Sequence, residues 1–317
     1  NILRILAIIS ITYKYQNYRV FMKNVIDRNV ARKNSFKEKL RTTTSEKKPP
    51  IFSWLEFSLS GLCNRVCEFC PRSNPKDFPN LNKHMSIEVY SRVIKDLSKI
   101  NYKGGFIYSG FSEPILYKHL FEAIEVTRKF LPDNRIELVT NGDHLKINKL
   151  LKLFDCGLTQ ISVSLYDGPH QIENFKKLKL DAKLSDEQFD LRYRWAKEES
   201  YGINITNRAG AIDMPELNVK RLNEGMRKKC FYPFYQIMID YDGAVLLCNH
   251  DWYKKLVLGN INEKSILEIW DNEIYKKTRH NLANALRIDS PCKECDANGT
   301  MMGKEYVKEW QNYYEEK

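Results

Sequence analysis

Three cysteines, Cys63, Cys67 and Cys70, spaced C-x3-C-x2-C, constrain this 317-residue chain more than any other feature. Two more form the C-x2-C pair Cys292 and Cys295, and Cys156, Cys230 and Cys248 stand singly. Such grouping suits either a disulfide framework or a metal site. Disulfide frameworks belong to small secreted domains with too little core. Here no secretion signal is evident. With 43% hydrophobic residues, the chain has apolar material for one large domain, or for a domain plus a smaller one. No run of 18 or more apolar residues occurs, which argues against a polytopic membrane protein. Close thiol pairs in such a chain point to metal binding.

Three thiolates on one short loop can hold three irons of a cubane [4Fe–4S] cluster and leave the fourth iron open. Zinc would ask for a fourth protein ligand close by, and Asn64 and Arg65 are not thiolate substitutes. With Phe69 before the last cysteine, the loop resembles the signature of the radical S-adenosylmethionine (AdoMet) enzymes. The resemblance implies that Cys63, Cys67 and Cys70 ligate the cluster, with Phe69 beside the cofactor. It implies that the open iron takes the amino and carboxylate groups of AdoMet. An electron from the cluster then cleaves the sulfonium to a 5′-deoxyadenosyl radical, which abstracts a substrate hydrogen. An external electron donor such as flavodoxin or ferredoxin belongs to that chemistry.

The fold implied is α/β, a partial (β/α)6 TIM-like barrel. Apolar and β-branched runs supply six candidate strands, at 53–58, 105–109, 135–140, 159–165, 188–194 and 202–206. Helical patterns lie between them at 87–100, 120–130 and 170–182. The cluster loop follows the first strand, at the mouth where barrel active sites sit.

Other mouth segments resemble family features. Ser109-Gly110-Phe111-Ser112-Glu113-Pro114 resembles the GGEP-type segment whose backbone cradles the AdoMet amino group, although a Phe-Ser pair separates Gly110 from Glu113. On that resemblance Gly110, Ser112 and Glu113 bind the cofactor, and Asn141, in Thr140-Asn141-Gly142, lies near its ribose. Side chains alternate along a strand, so Ser162 and Ser164 share a face, and Ser164 is placed to meet the AdoMet carboxylate. On strand five Phe189, Leu191 and Tyr193 oppose Asp190, Arg192 and Arg194. If the apolar face meets the helices, Arg192 and Arg194 enter the mouth, with Arg208 close by after strand six. There they would hold a carboxylate, or hold or take a substrate proton. A helix over 188–199 with exposed charges is the alternative.

From about residue 216 the pattern changes to a hairpin around Tyr241-Asp242-Gly243, with Cys230 before it and Cys248 closing it. C-x12-G-x4-C followed by C-x2-C resembles the front of the SPASM domain, which carries auxiliary [4Fe–4S] clusters. Residues 296–317 hold no cysteine. Cys230, Cys248, Cys292 and Cys295 therefore suffice for one fully ligated cluster, as in the truncated Twitch version. A four-thiolate zinc site is the structural alternative. The organisation expected is a basic extension over 1–50, a radical AdoMet barrel over 51–215, and a small α+β auxiliary-cluster domain over 216–317. Full ligation leaves no auxiliary iron for substrate, so that cluster would relay or accept an electron. The reading that follows is oxidation of a small polar substrate such as a sugar, aminocyclitol or nucleotide sugar. Ribosomal-peptide maturation, and redox-neutral sugar epimerisation or deamination, are the alternatives.

The net charge of +11 is uneven. Residues 1–50 carry twelve Lys/Arg against three Asp/Glu, leaving 39 against 37 for the rest, so no nucleic-acid partner is expected. The isoleucine-rich run from Ile2 to Ile11 is too short to span a bilayer. It reads as a packed helix followed by a solvated basic linker over 31–50. A peripheral membrane or protein contact is the functional alternative. With no signal peptide, the expected location is cytoplasmic.

Overall fold

Each of the first five apolar runs becomes a strand in the computed structural model, which describes residues 28–36, 38–42 and 48–315. These are β1 (Trp54–Ser58), β2 (Gly105–Tyr108), β3 (Ile136–Thr140), β4 (Gln160–Leu165) and β5 (Phe189–Tyr193). They pair in parallel in sequence order, with Leu55 opposite Phe106 and Ser162 opposite Asp190. Every residue of β1 and β4 is buried, as expected where both faces of a parallel sheet are covered.

The crossover helices follow from period and caps. Helix Ile87–Lys99 buries Tyr90, Val93, Ile94 and Leu97, the i, i+3, i+4, i+7 stripe of an amphipathic helix. Ser86 caps it by accepting from the Val89 amide at 3.2 Å. Helices Leu120–Phe130, Ile147–Asp155 and His170–Asp181 fill the later crossovers. The architecture is thus the parallel half-barrel of an α/β fold.

The sixth strand differs from expectation. Residues 202–206 form no strand, because Ser200, Tyr201 and Gly202 all take positive φ and turn the chain away. Arg194 fixes that turn by donating to the carbonyls of Tyr201 and Gly202 at 3.3 and 2.9 Å. The sixth parallel strand is instead β6 (Gln236–Asp240), on the opposite edge against β1. β7 (Ala244–Leu246) and β8 (Val257–Asn260) continue the sheet antiparallel, so the eight strands run β5-β4-β3-β2-β1-β6-β7-β8. The expected hairpin is present, and it welds the C-terminal unit onto the barrel edge.

Beyond β8, helices Glu273–Ala283 and Lys304–Glu315 extend the barrel's core around Arg279. This arginine is fully buried, its guanidinium 3.6 Å from the Trp310 ring centre and 4.1 Å from that of Trp270. It donates to the Pro233 carbonyl at 2.8 Å and the Tyr314 hydroxyl at 3.0 Å. Arg279→Ala is expected to cost about 3 kcal/mol from lost volume and cation–π contact. A urea midpoint equal to that of the unaltered protein would refute this.

The segment expected as a solvated linker is partly ordered against the barrel. Helix Arg28–Ser35 crosses the end where the strands begin. Its Lys33 donates to Gln236 Oε1 at 2.6 Å, and its Arg32 pairs with Glu137 and donates to Gln160 at 3.3 Å. Gln160 and Gln236 open β4 and β6, which fixes the helix at the barrel floor. The isoleucine run lies outside the described residues. Among the described residues no helix is long and apolar enough to cross a membrane.

Candidate active site

The loop after β1 carries Cys63, Cys67 and Cys70 to the mouth, where they line a cavity of about 360 Å³. Burial, together with the nearby Cys70 and Cys63, pushes the Cys67 thiol up to about 12. Three thiolates are thus held together at a site that disfavours their charge, and a positively charged metal centre relieves this. The donor set fits a cubane with one open iron.

Two arginines not singled out from the sequence hold this loop. Arg65 donates to both oxygens of Asp143, at 2.6 and 2.5 Å, and to both of Asp167, each at 2.7 Å. Its guanidinium lies 5.1 Å from the Tyr166 ring centre. The ends of β3 and β4 are thereby tied to the cluster loop. Arg72, buried, donates to the carbonyls of Phe111 at 2.8 Å and Gly61 at 2.9 Å. Their only sequence signal is position: one lies inside the cysteine motif, the other two residues after it.

The expected cofactor residues converge on the same cavity. Phe69 forms a wall with Tyr201 and Tyr166, ring centres 4.5 and 6.1 Å away. Gly110 takes φ +77°, and a Cβ there would sit 2.8 Å from Met238 and 2.9 Å from Ser58, so glycine is required. Ser112 Oγ is buried with no hydrogen-bond partner among the described residues, an available group on the cavity wall. Ser164 lines the cavity, as strand alternation requires. Asn141 donates through Nδ2 to Asn64 Oδ1 at 2.8 Å, bracing the cluster loop.

The Glu113 side chain is committed within the protein. Its carboxylate accepts from the Asn141 amide at 2.8 Å, Thr140 Oγ1 at 2.6 Å and the Ile115 amide at 3.0 Å. It is a buried brace between the ends of β2 and β3, which is compatible with a cradle formed by the segment's backbone, as the resemblance implies. Burial pushes its carboxyl up to about 6, against the donors that stabilise the anion. Ionisation is therefore easier in the unfolded chain, where the value is near 4.5. This group's contribution is full below about pH 4.5, falls by about 2 kcal/mol as pH rises to about 6, and is constant above. Glu113→Gln is expected to flatten that slope in urea midpoints of the metal-free protein. An unchanged slope would contradict the assignment.

The three arginines separate. Arg192 is buried, lines the cavity, and donates to Ser162 Oγ at 2.9 Å with Asp190 Oδ2 3.5 Å from its Nε. Arg208, at φ +47°, lines it as well. Arg194 also lines it, but its Nη1 bonds to backbone carbonyls make it a scaffold for the turn after β5. Asn249, His250 and Tyr232 also line the cavity and were not foreseen, because nothing in the sequence says that the C-terminal unit faces the mouth; Glu56, on β1, lines it too and carries no motif that marks it.

Cys230, Cys248, Cys292 and Cys295 line a second cavity with Arg287. Burial and mutual repulsion push the Cys248 and Cys292 thiols far up, with Arg287 opposing at Cys292. Arg287 fixes the surrounding chain through the carbonyls of Lys228, Lys229, Cys295 and Ala297, at 2.9 to 3.2 Å. A Cβ on Gly299 would lie 2.2 Å from Cys230 Sγ, so the wall requires glycine there. Four thiolates can hold a fully ligated cubane, one at each iron. Tyr232, His250 and Ala297 line both cavities and are the partition between them. Cys156 ends helix Ile147–Asp155, outside both, and its thiol donates to Glu125 at 3.3 Å.

Comparison with known proteins agrees with this geometry. Residues 57–198 match the model of the radical SAM superfamily, and residues 230–296 match SPASM, an iron-sulfur cluster-binding domain. The S-adenosyl-L-methionine-dependent 2-deoxy-scyllo-inosamine dehydrogenase of Niallia circulans is 26% identical over 81% of this chain and 97% of its own length. The GTP 3',8-cyclase of Clostridium perfringens (strain 13 / Type A) is 30% identical over 35% of this chain and 34% of its own length. Among solved structures, BtrN in complex with AdoMet and 2-DOIA superposes with a TM-score of 0.66 at 25% identity, covering 82% of this chain and 98% of that one. The anSMEcpe structure with bound AdoMet and a peptide shares the fold at a TM-score of 0.50 and 17% identity, over 84% and 96% of the two chains. With its three-cysteine mouth loop and its four-cysteine C-terminal site, this chain belongs to the radical SAM superfamily and carries a SPASM iron–sulfur domain.

Proposed function

We propose that this enzyme is a radical SAM dehydrogenase that oxidises a secondary carbinol of an aminocyclitol to a ketone. The observation that carries the reading is the shared wall: the four-thiolate cavity abuts the mouth cavity through Tyr232, His250 and Ala297. A site ligated on every iron beside the substrate suits an electron acceptor, which a dehydrogenation needs and an epimerisation does not. The Niallia circulans dehydrogenase, matched over 97% of its length, supports the same substrate class.

When bound, AdoMet and its cluster supply a hydrogen-abstracting radical, and the second cluster supplies an electron acceptor. The carbinol loses one hydrogen atom, one electron and one proton. Cys63, Cys67 and Cys70 would hold the cluster, and Ser112 and Asn141, which line the same cavity, would hold the cofactor. Arg192, fixed by Ser162, is placed to orient the carbinol oxygen and stabilise negative charge on it. As a permanent cation it is a poor base, so the proton is released to solvent, and Asp190, outside the cavity lining, pairs with the guanidinium. Arg208 completes the cationic side, suited to the AdoMet carboxylate. No cysteine outside the cluster sets lines the mouth cavity among the described residues, so no thiol stands ready to return a hydrogen.

A low-potential donor such as flavodoxin or ferredoxin, and a reducing cytoplasm, belong to the same proposal. Residues 1–27 are the remaining candidate for a peripheral membrane or protein contact, since Arg32 and Lys33 are committed to the barrel floor. The test is anaerobic incubation of reconstituted enzyme with AdoMet, dithionite and 2-deoxy-scyllo-inosamine. One ketone per 5′-deoxyadenosine is expected. 5′-Deoxyadenosine without ketone would refute the dehydrogenase reading, and an epimer would replace it.

A further inference from the structure

We infer that Glu56 anchors the amine of the substrate, and that Lys33 of the N-terminal helix sets its geometry through Gln236. The inference rests on the aminocyclitol reading above. Glu56 and Glu113 are the carboxylates among the described residues lining the mouth cavity, and Glu113 is bound up in the β2–β3 brace. Glu56, on β1, is held by three different elements. Oε1 accepts from Ser109 Oγ at 2.5 Å, and Oε2 accepts from Gln236 Nε2 at 2.7 Å and Asn249 Nδ2 at 3.3 Å. A carboxylate has about four acceptor positions, so it can still take a donor from the cavity.

The neighbouring group points to the same ligand chemistry. Asn249 turns its amide nitrogen to Glu56, and its Oδ1 is buried without a hydrogen-bond partner. A carboxylate with a spare acceptor position, and a neighbouring amide whose oxygen lacks a donor, call for hydrogen-bond donors. An ammonium, with three donors and no acceptor, is the complementary group. Arg192, assigned above to the carbinol oxygen, also lines the cavity, so amine and carbinol oxygen have separate anchors.

Lys33 fixes which way Gln236 faces. The amide of Gln236 lies between the Lys33 ammonium and the Glu56 carboxylate. Lysine only donates, so Oε1 must face Lys33 and Nε2 must face Glu56. Without the ammonium the amide can flip and set oxygen against oxygen. The helix at the barrel floor is on this account part of substrate recognition.

The test uses anaerobically reconstituted full-length enzyme and 2-deoxy-scyllo-inosamine, with calorimetric Kd on the AdoMet-free protein beside steady-state KM. Turnover by the unaltered enzyme establishes the functional reading, and its failure overturns that reading and this inference together. Given turnover, Glu56→Gln, which keeps shape and loses charge, should raise Kd and KM together by about 10- to 100-fold. Lys33→Met should raise both by about 3- to 10-fold, and Lys33→Arg should restore most of the loss. The analogue with hydroxyl in place of the amine should bind the unaltered enzyme more weakly, and Glu56→Gln should no longer distinguish the two. Unchanged Kd in Glu56→Gln, equal discrimination against the hydroxyl analogue, or an unaffected Lys33→Met would each overturn the inference while leaving the dehydrogenase reading intact.

Discussion

Replacing Cys63, Cys67 and Cys70 together by alanine is expected to abolish 5′-deoxyadenosine formation and to halve the metal content. The unaltered protein should hold about eight irons and eight sulfides per chain, and the triple variant about four of each, the content of one cubane. The two sites are lined by separate sets of cysteines, so losing one leaves the ligands of the other in place. Iron and sulfide assay with EPR of the dithionite-reduced protein reads both outcomes. A triple variant that still cleaves AdoMet, or that retains all its iron, would contradict the assignment. Zinc in the remaining site would contradict the auxiliary cluster.

The second large effect falls on the C-terminal site. Replacing Cys248 and Cys292 by alanine should leave substrate-independent AdoMet cleavage measurable while ketone formation falls below detection. The reason is electron balance: hydrogen abstraction does not need the second cluster, but completing the ketone requires an acceptor. Both residues belong to a unit whose strands β6 to β8 continue the barrel sheet, so the variant also needs a structural control. Retention of the near-ultraviolet circular dichroism of the Trp270 and Trp310 cage supplies it. Full ketone yield in a folded double variant would show that the electron leaves by another route.

Much of this was legible in the sequence because iron–sulfur ligation depends on local spacing. Cys63, Cys67 and Cys70 specify a site within eight residues, and the strand–helix periods place that loop at the barrel mouth. Strand alternation likewise places Ser164 and Arg192 inward, as found. What the sequence hid depends on long-range packing. The run 202–206 has strand composition, but three consecutive positive φ values before and at its start turn it aside. Gln236–Asp240 takes the place against β1 instead, which no local pattern announces. The motif around Glu113 does not announce where its side chain goes: its partners Thr140 and Asn141 lie on the next strand and its turn. Arg32 and Lys33 are indistinguishable by composition from the other cations of residues 1–50, and only the fold shows them at the floor.

The dehydrogenase account is tested most directly by the fate of one hydrogen. Substrate carrying deuterium on the carbinol carbon, incubated anaerobically with reconstituted enzyme, AdoMet and reductant, should transfer that deuterium to 5′-deoxyadenosine, with one ketone formed per labelled nucleoside. Mass spectrometry of the nucleoside and the product reads both quantities from a single reaction. Unlabelled 5′-deoxyadenosine, or labelled nucleoside accompanied by an epimer and no ketone, would contradict it.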